Sequence, residues 1–313
     1  MPEFPAAEDR LIEGAGLTKT YLRASRPALA GVTLQVNAGE IVGVIGPNGS
    51  GKTTLMSCLL GLLKPDDGVA RIGGHPSGSP QANRFVGYVP ERLNFDPWMK
   101  GRDFVAYHHA LAGLPATERA AQVERALAEA GLGVDAWDRP IKGYSRGMLQ
   151  RVGLAQALVG KPRCLFLDEP TSGMDPQGAL ATRARIEAFA AAGGAVLVNS
   201  HQLDQLGKLC HRVLFLKDGR LEAEERLRGE TGLGWHFDWL TPLPSGAKAK
   251  ALLEELVAGG AVLEPGGLRA QVADEEAAAE LLASLIKAGI RVNAAGPARG
   301  NLEHLFLGGA HVE

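Results

Sequence analysis

Short runs of apolar residues alternate with longer amphipathic stretches along most of this chain. Apolar runs, rich in β-branched residues, at residues 41–45, 85–89, 163–167 and 195–198 predict buried strands. The stretches between them favour helices, and strands that alternate with helices imply a mostly parallel sheet. An antiparallel layer beside this sheet is suggested by the short strands that precede residue 41, at residues 11–15 and 32–36, and a further strand is predicted at residues 69–72.

Alanine and leucine become frequent after residue 100. Helical spacing of the apolar positions predicts helices at residues 101–113, 116–131 and 148–159. We interpret this stretch as a helical subdomain, at about residues 92–161, inserted into the α/β core.

A second, smaller unit is expected after a hairpin around Asp218 and Gly219. Its predicted elements follow the order β-α-β-β-α-β of a ferredoxin-like fold, with a short helix near residues 301–307 at the end. Three closely spaced glycines indicate a linker between the two units, namely Gly229, Gly232 and Gly234. The domain prediction is therefore residues 1–228 and residues 229–313.

A glycine-rich segment lies between the strand at residues 41–45 and a predicted helix at residues 53–63. It has the pattern G-x-x-x-x-G-K-T of a phosphate-binding loop, whose glycines let backbone N–H groups converge on an anion at a helix N-terminus. In such loops the lysine, here Lys52, reaches the β- and γ-phosphates, and the following hydroxyl, Thr53, ligates Mg²⁺. The alternative is a glycine-rich turn that binds nothing, and the Lys-Thr pair and both flanking elements disfavour it. We expect a nucleoside triphosphate to be bound by Gly46, Pro47, Asn48, Gly49, Ser50, Gly51, Lys52, Thr53 and Thr54.

Two acidic residues, Asp168 and Glu169, follow the apolar run at residues 163–167. In a P-loop protein an aspartate at such a strand end holds Mg²⁺, usually through water. The adjacent Glu169 can orient and deprotonate an attacking water, and His201, after the next strand, can sense the γ-phosphate. The alternatives are a helix-capping acidic pair and a structural histidine.

Composition narrows the function classes. The chain has 313 residues, 45% of them hydrophobic and 22% charged, with a formal net charge of −2, so it lacks the overall basic character of a nucleic-acid binder. Its three cysteines show no C-x-x-C spacing and are interpreted as small buried apolar residues of a reducing compartment. The first residues do not resemble a signal peptide, and no apolar run approaches the roughly 18–20 residues of a membrane span. Any membrane role is therefore expected to involve a partner.

Residues 144–151 read Y-S-R-G-M-L-Q-R, which resembles the signature sequence, commonly L-S-G-G-Q, of ATP-binding cassette (ABC) ATPases. With this motif, the family's motif set stands in family order over roughly residues 8–225. The resemblance implies an α/β P-loop fold with a parallel core sheet, an antiparallel β layer and an inserted helical subdomain. It implies ATP and Mg²⁺ as ligands and ATP hydrolysis as the activity, with catalytic roles for Lys52, Glu169 and the switch histidine His201. Further family positions are the adenine-stacking aromatic Tyr21, the Q-loop residue Glu91 near the metal, the signature residues Ser145 and Gly147, and the D-loop residue Asp175.

The signature implies that the chain works as a pair. Ser145 and Gly147 precede the predicted helix at residues 148–159, so their N–H groups are expected to face outward. In the family they face the γ-phosphate bound by another subunit. Because this chain carries one phosphate loop and one signature, we expect a second ABC ATPase subunit, and a homodimer is the simplest arrangement.

Departures from the common pattern point to one branch of the family. Glu91 replaces the usual glutamine, and the form Y-S-x-G-M-x-Q-R resembles an exporter branch whose cassettes serve separate membrane subunits. Residues 87–91 and 301–307 also resemble that branch. The resemblance implies an integral membrane permease as partner and a peripheral location on the cytoplasmic face of the cell membrane.

Four apolar residues before the first inserted helix form a candidate docking surface for the permease, namely Phe95, Pro97, Trp98 and Met99. The alternative is that they pack internally. The C-terminal unit is either a regulatory or dimer-forming domain or a passive stabilising one. Among whole-protein functions, the alternatives to a transporter ATPase are a cassette ATPase acting on nucleic acid or ribosomes and an adaptor that binds ATP without turnover. The near-neutral charge disfavours the former, and the intact motif residues disfavour the latter.

Overall fold

The computed structural model describes residues 9–93, 95–227, 233–239, 246–264 and 266–297. The chain divides into two compact units, residues 1–224 and residues 225–313. The predicted terminal helix at 301–307, and most of the expected linker, lie outside the described residues.

A six-stranded sheet forms the centre of the first unit, in the order β10-β9-β3-β8-β7-β6. Its strands are β3 (Ile41–Ile45), β6 (Val86–Val89), β7 (Cys164–Asp168), β8 (Ala195–Asn199), β9 (Arg212–Lys217) and β10 (Arg220–Arg226). Pairing is parallel from β9 through β3, β8 and β7 to β6, as the alternation of strands and helices predicts. The central strands β3 and β8 are buried along their whole length, which explains their continuous apolar sequences.

A second sheet of the same unit has the order β2-β1-β4-β5 and antiparallel pairing. Its strands are β1 (Arg10–Lys19), β2 (Leu29–Asn37), β4 (Asp67–Ile72) and β5 (His75–Pro76). Side chains from both sheets share one hydrophobic core, in which Ile12 and Ile72 are grouped with Phe166 of β7. The predicted antiparallel layer is therefore confirmed.

Helices of the first unit fall into those that flank the sheets and those of the insertion. They are α1 (Lys52–Leu59), α2 (Pro80–Asn83), α3 (Gly101–Leu111), α4 (Arg119–Glu129), α5 (Val134–Trp137), α6 (Arg146–Leu158), α7 (Pro176–Ala191) and α8 (Leu203–Leu209). The prediction that the helix after the phosphate loop continues to residue 63 was wrong. It ends at Leu59, because Gly61 turns with φ +72 and approaches Gly78 too closely for any side chain.

The second unit is a four-stranded antiparallel sheet with two helices. Its elements are β11 (Leu233–Trp239), α9 (Ala247–Ala258), β12 (Val262–Glu264), β13 (Gly267–Val272), α10 (Glu275–Lys287) and β14 (Val292–Pro297). The strand order β12-β13-β11-β14 is that of the split βαβ fold. It has a core of its own, around Phe237 and Leu268, which confirms the predicted fold. Among the described residues of the whole chain, no helix is long and apolar enough to cross a membrane.

Candidate nucleotide-binding site

The loop between β3 and α1 is shaped by three glycines with positive φ. Gly46, Gly49 and Gly51 have φ values of 157°, 80° and 109°. A Cβ atom on Gly46 would lie 2.0 Å from the Leu216 carbonyl oxygen, and one on Gly51 would lie 2.3 Å from the Ala28 carbonyl oxygen. Both positions therefore require glycine for lack of space, and Gly49, which has open space around it, favours glycine because its φ is positive. The result is a backbone cradle that leads directly into the N-terminus of α1.

Lys52, the first residue of α1, lies across this cradle. Its Nζ donates hydrogen bonds to the carbonyl oxygens of Gly46 at 2.8 Å and Pro47 at 3.0 Å. Burial lowers the pKa of this ammonium, and the nearby carboxylates Glu169 and Asp168 oppose that shift. The lysine charge therefore lies between the loop and the acidic end of β7.

A cavity of about 490 Å³ brings most of the predicted site residues together. It is lined by Tyr21, Ala28, Asn48, Gly49, Gly51, Lys52, Thr53, Thr54, Glu91, Asp168, Glu169, Ser172, Asn199 and His201. Gly46, Pro47 and Ser50 belong to the same loop but do not line the cavity, and Ser50 is buried with an unpartnered hydroxyl.

Glu169 is fixed by the residues that follow β8. Its Oε1 accepts a hydrogen bond from the His201 backbone N–H at 2.8 Å and lies 2.6 Å from His201 Nδ1. Its Oε2 accepts a hydrogen bond from the Ser200 hydroxyl at 2.9 Å. The backbone of Glu169 is left-handed, with φ 51°, an uncommon conformation for a residue with a side chain. This turn directs the carboxylate of Glu169 across the strand ends to Ser200 and His201.

Asp168 is the last residue of β7 and pairs in register with Asn199, the last residue of β8. Asn199 Nδ2 donates to Asp168 Oδ1 at 2.6 Å. Burial raises the pKa of Asp168, and the charges of Glu169 and Glu91 act in the same direction. The hydrogen bond from Asn199 and the charge of Lys52 oppose that rise.

Tyr21 lies at the rim of the cavity. Its side chain is 47% exposed, and its hydroxyl lies 3.2 Å from Thr54 Oγ1. This contact ties the loop after β1 to helix α1 and leaves the ring accessible to a flat ligand.

The signature and D-loop residues lie outside this cavity. Ser145 caps α6, and its hydroxyl accepts a hydrogen bond from the Met148 N–H at 3.3 Å. Gly147 does not precede α6 but lies in its first turn, where no atom approaches within 4 Å of a Cβ placed on it. Asp175 caps α7 by accepting a hydrogen bond from the Gly178 N–H at 2.6 Å. None of these three residues lines the cavity that contains the phosphate loop.

Sequence reasoning missed two residues that contact the acidic pair, Asn199 and Ser200. A signal was present, because this polar pair directly follows the apolar run at residues 195–198 and precedes His201. The pairing of β7 with β8 places Asn199 beside Asp168, which the sequence alone does not show.

A parallel sheet with a phosphate loop, an antiparallel β layer and an inserted helical subdomain defines the class of ATP-binding cassette ATPases. The model of the ABC transporter family matches residues 29–172. The daunorubicin/doxorubicin resistance ATP-binding protein DrrA of Streptomyces peucetius is 33% identical over 309 residues, covering 95% of this chain and 92% of that protein. This chain belongs to the ABC transporter family of ATP-binding proteins.

Two further similarities concern the cassette. A dimeric ATP-binding cassette, MJ0796, solved in a post-hydrolysis state with ADP and Pi, is similar with a TM-score of 0.64 and 26% identity, covering 70% of this chain and 100% of that chain. An uncharacterized ABC transporter ATP-binding protein, all4389 of Nostoc sp., is 40% identical over 195 residues, covering 62% of this chain and 58% of that protein. The match thus spans less than two thirds of that protein's length.

Proposed function

We propose that this chain is the ATP-binding and ATP-hydrolysing subunit of an ABC transporter, coupled to a separate membrane subunit. One observation carries the proposal. A single cavity holds a phosphate-binding cradle, its lysine, and a carboxylate that is oriented by three contacts from the two residues that follow β8. This is the geometry that positions a water against a bound γ-phosphate.

The binding step uses the loop and Lys52. Backbone N–H groups of the cradle and the N-terminus of α1 hold the phosphates. Lys52 exchanges its two carbonyl partners, Gly46 and Pro47, for phosphate oxygens. The accessible ring of Tyr21 stacks on the adenine.

The chemical step uses Glu169. Its carboxylate accepts a proton from a water, the water oxygen bonds to the γ-phosphorus, and the bond to the bridging oxygen of ADP breaks. Ser200 and His201 keep the carboxylate in place, since each of its oxygens has a fixed partner. His201 also lies at the cavity wall, where its ring can contact the γ-phosphate.

The acidic end of the cavity fits Mg²⁺. Glu91, Asp168 and Glu169 line one wall, and the charges of the two glutamates disfavour ionisation of Asp168, which a divalent cation would relieve. Within the described residues, no cluster of three or more His, Cys, Asp or Glu side chains can hold a metal alone. That agrees with Mg²⁺, which is usually bound through one or two carboxylates and completes its shell with substrate phosphate and water. Asp168, Thr53 and Glu91 would hold the ion, which when bound neutralises charge on the β- and γ-phosphates.

The second half of the site comes from another cassette. Ser145 and Gly147 present the exposed start of α6 outside their own chain's cavity, so they are free to meet an ATP held by a second copy. Asp175 at the start of α7 belongs to the same contact. A homodimer satisfies this need with one kind of chain, and MJ0796 was solved as a dimer.

The membrane partner is a permease subunit, and the chain works at the cytoplasmic face of the cell membrane through it, without nucleic acid. Part of the candidate docking surface is exposed, because Trp98 is 70% exposed with Lys142 Nζ 3.1 Å from its ring centroid. Phe95 instead packs edge-on against Phe104, so it is partly internal. Export is the proposed direction, supported by the names of DrrA and of the Nod factor export ATP-binding protein I of Burkholderia thailandensis, 38% identical over 196 residues.

Replacing Glu169 by glutamine tests the proposal. The amide keeps the shape of the side chain but cannot accept the proton, so ATP binding is retained and hydrolysis falls by about 10²-fold or more. An ATP-bound dimer then accumulates, which size-exclusion chromatography in ATP detects.

The control is Glu255→Gln, a substitution at an exposed position on α9. We expect this variant to bind and hydrolyse ATP as the unaltered chain does. Only monomer in ATP, or hydrolysis as fast as that of the control, would contradict the proposed function.

A further inference from the structure

We propose that Asn199 is a positioning residue for the metal ion of this site, and this inference rests on the proposed function. Asn199 holds Asp168 through its amide N–H and offers its amide oxygen to a water of the metal shell. Asn199 lies outside the family motifs, so neither role follows from them.

The first observation is the place of this asparagine in its strand. Residues 195–198 of β8 are all apolar and buried, and Asn199 ends the strand as a polar residue that is only 6% exposed. An apolar side chain would complete the strand at lower desolvation cost. The polar group at this position therefore needs a partner that justifies its burial.

One partner is present. Asn199 Nδ2 donates to Asp168 Oδ1 at 2.6 Å, and the two residues are register partners in the parallel pair of β7 and β8. This contact uses one oxygen of Asp168 and leaves the other oxygen for the metal side of the cavity. It also fixes the rotation of the carboxylate, as partners of metal ligands commonly do.

The second observation is an unpaired atom. Asn199 Oδ1 is buried and has no hydrogen-bond partner in the structure. A buried amide oxygen without a partner is unfavourable, because it has lost its water without gaining another hydrogen bond. Asn199 lines the cavity together with Thr53, Asp168 and Glu91, the residues proposed to hold the ion.

The two halves of the amide therefore have complementary tasks. Mg²⁺ keeps several waters when it binds through few protein ligands, and each water needs an acceptor for its hydrogens. The donor half of Asn199 orients the carboxylate, and the acceptor half receives a hydrogen bond from such a water. Asn199 touches neither ATP nor the reacting atoms, so it acts through Asp168 and the water.

The test measures metal affinity directly. Mn²⁺, a paramagnetic stand-in for Mg²⁺ with the same preference for oxygen ligands, is titrated into the full chain with the non-hydrolysable analogue AMP-PNP, and bound Mn²⁺ is followed by electron paramagnetic resonance. Asn199→Val removes both halves of the amide and suits a strand. We expect Mn²⁺ affinity to fall about tenfold, while metal-free AMP-PNP affinity stays unchanged.

Thr182→Val is the matched control. Thr182 is also buried, at 4% exposure, and its hydroxyl bonds Met174 Sδ at 3.4 Å, away from the cavity. We expect the Thr182→Val variant to change the melting temperature and to leave the Mn²⁺ affinity unchanged. If Asn199→Val does not fold, Asn199→Leu, which has nearly the shape of asparagine but no polar atom, carries the same expectation.

The outcomes separate the two proposals. Mn²⁺ affinity of Asn199→Val within about twofold of the unaltered chain overturns the role of Asn199. An unaltered chain that binds neither AMP-PNP nor Mn²⁺ overturns the proposed function itself.

Discussion

At the scale of single residues, the feature that decides the chemistry is how Glu169 is held. A carboxylate on a left-handed residue would be free to rotate if only its own backbone fixed it. Here Ser200 and His201, consecutive after β8, each hold one of its two oxygens. Glu169 also lines the cavity, so the water that we propose it activates would have a defined approach.

Replacing Ser200 by alanine should therefore lower kcat more than it raises KM. Ser200 is 3% exposed and its hydroxyl donates to Glu169 Oε2 at 2.9 Å. A hydrogen bond to a charged group is worth about 1.5–3 kcal/mol, so we expect kcat to fall roughly tenfold or more with the KM for ATP nearly constant. Steady-state ATPase kinetics measure both quantities.

Ser200→Thr is the matched variant, because it keeps a hydroxyl on a strand-end residue and should restore most of kcat. Equal kcat for Ser200→Ala and the unaltered chain would show that His201 alone holds Glu169.

At the scale of elements, the sequence predicted those features of the fold that depend on the local pattern of apolar and turn-forming residues. The buried strands, the glycine loop and the ferredoxin-like order of the second unit all follow from apolar periodicity and turn residues. The hydrogen bond from Asn199 to Asp168 does not, because it depends on the register between two strands about thirty residues apart. The end of α1 was likewise set by the close approach of Gly61 to Gly78, which no local signal shows.

The three cysteines are all buried, which confirms the prediction that they are small buried apolar residues. One of them, Cys164, lies in strand β7. Cys164 begins β7 with no exposed surface, and its thiol donates to the Leu11 carbonyl oxygen at 3.6 Å. Burial raises the pKa of this thiol from 9.0 to about 12. The folded chain therefore retains the proton in a pH range in which the unfolded chain loses it.

This difference makes stability depend on alkaline pH. The contribution of the thiol is complete below pH 9 and is lost as pH rises toward 12, by about 1.4 kcal/mol per pH unit. Cys164→Val keeps a strand-forming apolar side chain without an ionisable group, so its free energy of unfolding should fall less steeply above pH 9. Urea unfolding at a series of pH values measures the two slopes.

Tyrosines titrate in the same range but are common to both proteins, so the comparison isolates the thiol. Parallel stability curves for Cys164→Val and the unaltered chain above pH 9 would mean that the thiol ionises in the folded state at its ordinary pKa.

At the scale of the whole molecule, the chain combines two units that each have a separate hydrophobic core. All residues proposed to bind ATP and Mg²⁺ belong to the first unit, whose last strand, β10, ends at Arg226. The sheet of the first unit is complete without the second unit. We therefore expect the nucleotide chemistry to need only the first unit, and we propose that the second serves regulation or dimer contact.

Deleting residues 230–313 should consequently leave ATP binding intact, since the cut falls after β10 and removes no residue of the cavity. We expect a single cooperative melting transition and an affinity for a fluorescent ATP analogue close to that of the full chain. Lys52→Ala in the truncated chain is the control that abolishes binding, because it removes the only lysine lining the described cavity. A truncated chain that folds but no longer binds the analogue would show that the nucleotide site depends on the second unit. If binding persists but the ATP-bound dimer of the Glu169→Gln variant no longer forms, the second unit contributes to the dimer contact.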